Sequence, residues 1–175
     1  MKEFIHFGLV LLTIAAISAG LLNYVNNITT PLINKRSANA QIEARKIVYT
    51  EANNFKENKK IDIDGYSFIP AYKDSKQIGY VVSGTAQGYG GEINLTVAFN
   101  LDGKIKGVKI LNAKETPGLG DKIFDKKWLN KWIGRDKNYE FKIGADSFAG
   151  ATISPRAVHT ELMKILKIYD EKVRK

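Results

Sequence analysis

Cysteine is absent from this 175-residue chain, and histidine occurs only twice. The absence of cysteine excludes disulfide bonds, cysteine-ligated iron–sulfur clusters and thiolate catalysis. His6 lies in an apolar N-terminal segment and His159 in a predicted peripheral helix, so neither a histidine metal cluster nor a Ser/His/Asp set is supported. We therefore expect no metal site and no complete active site on this chain.

Motifs of the common nucleotide-binding folds are missing as well. Neither G-x-G-x-x-G nor G-x-x-x-x-G-K followed by Ser or Thr occurs. The net charge is +9, yet no Lys/Arg-rich run with interleaved aromatic residues is present, and so we expect no nucleic-acid partner. The positive charge leaves two partners open, an acidic protein partner and anionic lipid head groups.

The longest apolar run extends from Phe4 to Val25. At about 1.5 Å per residue, a helix over this run spans roughly 33 Å, the thickness of a bilayer core. A cleaved signal peptide is the alternative, but Leu21 and Leu22 prolong the run beyond a usual signal. We predict that residues 1–27 form an uncleaved anchor in the lipid bilayer.

The membrane orientation is not determined by the sequence. Basic residues follow the apolar run, and a count of loop charges would place the soluble part inside the cell. Long domains, however, cross the membrane largely regardless of charge. The side on which the soluble part lies therefore stays open at the level of the residues alone.

Residues 28–64 are predicted to form a juxtamembrane helix and a linker. Thr30 and Pro31 have the character of an N-cap and a first helical position, which predicts a helix from there to about Tyr49. The polar, lysine-rich stretch 53–64 predicts a loop.

Residues 65–175 predict an α+β domain whose antiparallel sheet is packed by helices. Strand patterns occur at 66–72, 78–86, 92–100 and 104–112. Ile93, Leu95, Val97 and Phe99 alternate and share one face of their strand. A turn at Asp102-Gly103 joins the last two strands, and the apolar phase shifts near Gly107, which predicts a bulge.

Helical patterns and one further strand come after the meander. A helix from Asp121 would place Trp128 and Trp132 on one face, and we favour core packing over flavin stacking for both. The stretch 139–144 is a candidate last strand. Ser154 and Pro155 predict the start of a closing helix. Its apolar stripe comprises Val158, Leu162, Ile165, Leu166 and Tyr169.

Three glycine-rich segments are candidates for ligand contact: 88–91, 115–120 and 150–152. Glycine lets the backbone approach a ligand closely and tolerates positive φ, but each segment taken alone equally fits a turn.

Taken together, the three segments resemble one known family. Gly-Tyr-Gly-Gly at 88–91, Glu-Thr-Pro-Gly-Leu-Gly at 115–120, and Asp146 followed by Gly-Ala-Thr at 150–152 are similar to the motifs of FMN-binding domains in membrane redox pumps. The chain most resembles the G subunit of the Rnf-type ion-translocating ferredoxin:NAD oxidoreductases. The C subunit of the sodium-pumping NADH:quinone reductases has the same domain in a longer chain. The resemblance covers the anchor and most of the soluble part.

The resemblance implies a covalent cofactor. In that family a separate magnesium-dependent flavin transferase attaches FMN, through its phosphate, to the threonine that corresponds to Thr152. Ala149 departs from the family, which often has Ser or Thr at that position, and the acceptor itself is unaffected. For Glu115 a solvated turn carboxylate is the alternative. The other candidate cofactor-binding residues are Asp146, Gly150, Ala151, Ser154, Glu115, Thr116, Gly118 and Leu119.

The function implied by the resemblance is electron transfer within a membrane complex. Such a complex couples electron transfer between ferredoxin and NAD to sodium or proton translocation, and its partners are the other membrane subunits. The resemblance also implies a single-pass protein of the inner membrane with an extracytoplasmic soluble domain. Two alternatives stay open: the flavin subunit of a sodium-pumping NADH:quinone reductase, and an anchored binding or assembly module without a cofactor.

Overall fold

The computed structural model describes residues 2–174. The chain forms two compact units, Met1–Asn39 and Ala40–Lys175. Helix α1 extends from Lys2 to Val48. Its N-terminal part forms the first unit and exposes its apolar side chains. Among the described residues, α1 is the one helix that is long and apolar enough to cross a membrane.

The predicted helix start at Thr30 and Pro31 is wrong, because α1 continues through both residues. A proline inside a helix removes one backbone hydrogen bond, to the residue four positions earlier, and a single lost bond does not interrupt this helix. The Thr30 hydroxyl does not cap a helix but donates to Asn26 Oδ1 at 3.0 Å, one turn back.

The second unit is built on an antiparallel sheet in the order β1-β3-β4-β5-β6, with β2 paired to β3. This arrangement confirms the predicted meander. The six strands are Asn54–Phe55 (β1), Ile61–Ile63 (β2), Tyr66–Lys73 (β3), Lys76–Gln87 (β4), Glu92–Asn100 (β5) and Ile105–Ala113 (β6).

The predicted bulge lies next to Gly107. Phe99 pairs with Ile105 and Ala98 pairs with Gly107, which leaves Lys106 as the extra residue in β6. A side chain at Gly107 would place its Cβ 2.3 Å from the backbone oxygen of Val48. Glycine is therefore required here because the end of α1 crosses the sheet at this point.

The sheet is covered on both faces. Helix α4, Ile153–Ile168, packs against β4 and β5, and its predicted apolar stripe is buried, as are the four alternating residues of β5. On the opposite face, Val48 and Tyr49 pack on Ala71, Val81 and Ala98. These contacts confirm the predicted α+β class.

Three further local predictions are wrong. The stretch 53–64, predicted as a loop, contains β1, a 3₁₀ turn at Glu57–Lys59 and β2, because both strands pair with β3. The helix from Asp121 is divided into a 3₁₀ turn, Gly120–Phe124, and helix α2, Lys126–Asn130. The division occurs because the Asp125 carboxylate accepts from the Lys127 amide at 2.6 Å and caps α2. Trp128 and Trp132 are nevertheless both buried in the core, as favoured.

The stretch 139–144 contains no strand. Its backbone groups are used locally, since the Tyr139 amide donates to the Asp136 oxygen and the Lys142 amide donates to Asp146 Oδ2. A short helix, α3, runs from Ile143 to Asp146.

Candidate functional site

The three glycine-rich segments meet around one cavity of about 330 Å³. The first connects β4 to β5, the second lies after β6, and the third precedes helix α4. The cavity is lined by Tyr89, Glu115, Thr116, Leu119, Gly120, Gly150, Ala151, Thr152, Ile153 and Ser154. Six residues predicted from the motifs lie in this wall, and so does Thr152.

Thr152 occupies the position immediately before α4, and its side chain makes no capping hydrogen bond. Several nearby hydroxyls are engaged: Ser147 donates to the Ile143 oxygen, and Thr160 donates to the Arg156 oxygen. The Thr152 hydroxyl, by contrast, lines the cavity while only partly buried. It is therefore available for chemistry.

Ser154 does not cap the helix as predicted. Helix α4 begins at Ile153, two residues before the predicted first helical position, and Ser154 therefore lies in its first turn. The side chain is 1% exposed, and its Oγ accepts from the Tyr89 amide at 3.2 Å. Ser154 thus ties the first glycine-rich segment to the start of α4.

Glu115 joins the first and second glycine-rich segments. Its Oε1 accepts from the Gly90 amide at 3.4 Å. A Cβ on Gly88 would lie 2.2 Å from Oε1, and a Cβ on Gly120 would lie 2.4 Å from Oε2. Oε2 is buried and has no hydrogen-bond partner among the described residues. Because a buried, unpaired oxygen is costly, this carboxylate is an unusual element of the wall.

Backbone conformation explains two of the glycines in the motifs. Gly118 and Gly150 have φ values of +75° and +77°, where residues with a side chain are strained. Gly150 also faces Leu119, whose Cδ2 would lie 3.5 Å from an added Cβ. Gly118 shapes its loop without lining the cavity, while Thr116 and Leu119 on either side of it do line it.

Asp146 lies behind the threonine segment and outside the cavity wall. It is 3% exposed, and its carboxylate accepts from the Tyr139 hydroxyl at 3.0 and 3.1 Å and from the Lys142 amide at 2.8 Å. Its backbone oxygen accepts from Trp128 Nε1 at 2.7 Å. Burial, and next the hydrogen bond to Asp146, raise the pKa of Tyr139. The geometry gives Asp146 an anchoring position for the loop that leads to Thr152.

Sequence reasoning missed three residues of the wall. Gly120 ends the predicted segment 115–120 but was not among the candidate residues. Tyr89 and Ile153 line the cavity and are 72% and 55% exposed. Tyr89 lies inside the Gly-Tyr-Gly-Gly motif, so its position in the sequence could have identified it. Ile153 directly follows the acceptor segment and breaks no pattern, and nothing in the sequence marks it.

A second cleft of about 420 Å³ opens on the other side of Thr152. Thr152 and Ile153 belong to both cavities and form the ridge between them. The remaining lining residues are Thr85, Ala86, Gln87, Arg156, Ala157, Thr160 and Glu161. Two of these residues, Arg156 and Glu161, carry opposite charges.

Known proteins are similar to this chain in sequence and in fold. A family model described as an FMN-binding domain matches residues 88–167. The G subunit of the ion-translocating oxidoreductase complex of Erwinia tasmaniensis is 33% identical over 177 residues, covering 86% of this chain and 82% of that protein. The chain belongs to the G-subunit family of ion-translocating oxidoreductase complexes. The predicted family is thereby confirmed.

Two further comparisons concern another G subunit and a solved structure. It is 34% identical over 158 residues to the G subunit of the proton-translocating ferredoxin:NAD(+) oxidoreductase complex of Clostridium ljungdahlii, covering 84% of this chain and 82% of that protein. The crystal structure of the C subunit of the Na(+)-translocating NADH-quinone reductase from Parabacteroides distasonis aligns with a TM-score of 0.50 at 21% identity. That alignment covers 61% of each chain, less than two thirds, and supports the α+β fold.

Proposed function

We propose that this chain carries FMN, bound covalently through its phosphate to Thr152 Oγ1, and relays electrons within an ion-translocating redox complex. The observation that carries the proposal is the position of Thr152, a hydroxyl without a capping bond in the wall of the cavity around which all three motif segments meet. The match to an FMN-binding domain over residues 88–167 supports the identity of the cofactor.

The residues around the cavity fit a flavin nucleotide. Its volume of about 330 Å³ lies within the range of small-molecule sites. Tyr89, Leu119 and Ile153 offer apolar surface for a flat ring. Gly120 and Gly150 let the backbone approach closely. The first amides of α4 lack partners within the helix, and with the helix dipole they favour a phosphate beside Thr152.

The flavin, when attached, supplies the redox chemistry, and the chain supplies position and electrostatics. A flavin transferase delivers the FMN phosphoryl group from an activated flavin nucleotide. The bond from phosphorus to its leaving group breaks, the Thr152 Oγ1–P bond forms, and the hydroxyl proton is released. Ser154 and Glu115 would hold the glycine-rich segments around the cofactor, Gly118 would shape its loop, and Ala151 would lie in the wall beside Thr152. Thr152 is the attachment point and takes no part in turnover.

The complex-level assignment rests on the family. We infer that other membrane subunits donate and accept the electrons, and that the complex couples ferredoxin:NAD electron transfer to sodium or proton translocation. Helix α1 anchors the chain as a single-pass protein of the inner membrane, with lipid around its apolar N-terminal part and with the soluble domain on the extracytoplasmic side. In this assignment residues 1–27 are the anchor, 28–64 the connection and 65–175 the FMN-binding domain.

The two alternatives are less well supported. A flavin subunit of a sodium-pumping NADH:quinone reductase has a fold-level likeness at 21% identity in its favour, whereas the G subunits match at 33% and 34% identity over most of the chain. A binding or assembly module without a cofactor does not explain why three motif segments meet around a cavity lined by Thr152. Identification of the membrane proteins that purify with this chain would distinguish the proposed complex from the first alternative. The mass of the peptide that contains Thr152 would distinguish a flavin carrier from the second alternative.

The test is mass spectrometry of the protein purified from its native membrane. Trypsin cleaves after Lys142 and Arg156, so the acceptor lies in the peptide 143–156, which also contains Ser147 and Ser154. We expect this peptide to be heavier by one FMN less one water, with the added mass assigned to Thr152 by fragmentation. An unmodified peptide at full occupancy would remove the proposal.

Thr116→Ala is the matched control for Thr152→Ala, because Thr116 is another threonine of the same wall and is exposed. We expect Thr152→Ala to lose all covalent flavin while it keeps the native tryptophan fluorescence, and Thr116→Ala to retain the flavin. Covalent flavin that persists in Thr152→Ala would assign the acceptor to a different residue.

A further inference from the structure

The second cleft contains a cation that is close to Thr152 and is not paired. Arg156 follows Thr152 by four residues at the start of α4, and its amide donates to the Thr152 oxygen at 3.1 Å. Residues four apart on a helix lie on the same face, about 5–6 Å apart at Cβ. Both side chains line the second cleft.

The guanidinium of Arg156 is oriented by an aromatic ring. It lies over the ring of Phe141, 5.1 Å from the ring centroid. In the part of the chain that the structure describes, no carboxylate lies within 4.0 Å of Arg156. Stacking occupies one face of the guanidinium and leaves its N–H edge, which recognises phosphate oxygens, free.

Glu161 is the acidic residue of this cleft, and it is engaged elsewhere. It is 7% exposed, and its Oε1 accepts from the Tyr66 hydroxyl at 2.8 Å. Gly84 leaves room for it, since an added Cβ would lie 2.5 Å from Oε1. Lys164 lies beside the same tyrosine, with its Nζ 5.2 Å from the centroid of the Tyr66 ring. The negative charge of Glu161 is therefore held away from Arg156.

We propose that Arg156 binds the non-bridging phosphate oxygens of the phosphodiester formed on Thr152. This inference rests on the proposed function. A phosphodiester on the ridge has one oxygen on Thr152 and one on the ribityl chain, which leads into the first cavity. Its two remaining oxygens share one negative charge, and the second cleft offers them the unpaired guanidinium. Arg156 is thus a positioning residue. In this arrangement the first cavity would hold the flavin ring and the second cleft would hold the phosphate.

The test compares Arg156→Gln, Arg156→Lys and a control, Lys167→Gln. Lys167 lies on the same helix, is exposed, lines neither cleft and loses the same charge. Full-length variants are produced together with a flavin transferase, and covalent FMN is followed by intact mass over time. The loaded proteins are then compared by phosphorus-31 NMR, which reports on the phosphodiester itself.

We expect Arg156→Gln to acquire FMN about tenfold more slowly, as the loss of one charge-assisted contact implies. Its phosphorus resonance should differ from that of the wild type. Arg156→Lys should have a loading rate and a phosphorus resonance between those of the wild type and Arg156→Gln, because it keeps the positive charge but loses the paired N–H donors of the guanidinium. Lys167→Gln should match the wild type in both measurements.

A loaded Arg156→Gln protein with the wild-type phosphorus resonance would overturn the proposal, whatever its loading rate, because Arg156 would then act on the transferase alone. If Arg156→Gln acquires no FMN, the loaded Arg156→Lys protein decides. A phosphorus resonance that differs from that of the wild type supports the proposal, and an unchanged phosphorus resonance overturns it. A wild-type protein without flavin on Thr152 would remove the proposed function as well, and this outcome is recognised before any variant is compared.

Discussion

Replacement of Asp146 separates an anchoring role from a direct role at the cofactor. Asp146→Ala removes the acceptor for the Tyr139 hydroxyl and the Lys142 amide and leaves a small void beside Trp128. Hydrogen bonds to a charged group contribute about 1.5–3 kcal/mol each. Tyr139 is partly buried and Lys142 is exposed, so water replaces part of the loss.

The expected change is therefore a loss of about 2 kcal/mol in the free energy of unfolding, and about half of that for Asp146→Asn, which keeps one acceptor oxygen. For a unit of this size a loss of about 2 kcal/mol lowers the Tm by roughly 6–8 °C. The assay is thermal unfolding of the detergent-solubilised chain followed by tryptophan fluorescence. Both tryptophans lie in the aromatic cluster next to this anchor.

Flavin content decides between the two roles. If Asp146 is an anchor, the Ala variant acquires flavin below its lowered Tm, although more slowly, since Thr152 is still present. A variant as stable as the wild type that acquires no flavin would refute the anchoring argument. It would place Asp146 instead in recognition by the transferase or in contact with the cofactor.

Two further predictions concern stability. Gly107→Ala should lower the free energy of unfolding by more than about 1 kcal/mol, because its Cβ would lie 2.3 Å from the backbone oxygen of Val48. Gly144→Ala is the control and should be near neutral, because nothing lies within 4 Å of its added Cβ. Urea unfolding measures both variants, and equal midpoints would contradict the close approach of α1. Burial raises the pKa of Tyr169 to about 12, above its ordinary value of 10.0, so its contribution to stability is complete below pH 10 and is lost between pH 10 and pH 12. Tyr169→Phe should flatten the stability curve across that interval, and an unchanged slope would contradict the assignment.

The sheet could be predicted because its signals are local and repetitive. Alternation in β5 identifies the four residues that pack in the core with α4, and the turn at Asp102-Gly103 indicates its pairing with β6. The phase shift near Gly107 also predicted the bulge, since an extra residue exchanges the faces of a strand.

The errors arose where one local signal competed with its surroundings. Pro31 resembles a helix start, but a helix that is already formed continues through it. The stretch 139–144 has strand-like composition, yet Asp146 uses the Lys142 amide that a strand would need. The break after Phe124 depends on the cap at Asp125, a short-range contact that the apolar spacing of the tryptophans does not reveal.

The site was predictable as a set of motifs but not as a geometry. The motifs indicated Thr152, and the structure adds that its hydroxyl makes no capping bond. The contact of Glu115 with glycines from two segments, and the division of the surroundings of Thr152 into two clefts, depend on residues distant in sequence. No pattern within one segment contains that information.

The half-open cavity beside Thr152 has a consequence for how such a carrier can evolve. A ligand held by one covalent bond meets its own cavity at an effective concentration of millimolar order or higher. The walls then need to contribute little affinity. If FMN is attached to Thr152 as proposed, exposed wall residues such as Tyr89 and Leu119 can change with the redox potential that a host requires while the bond retains the cofactor. A dissociable flavin site lacks this freedom, because each change in its wall also changes occupancy.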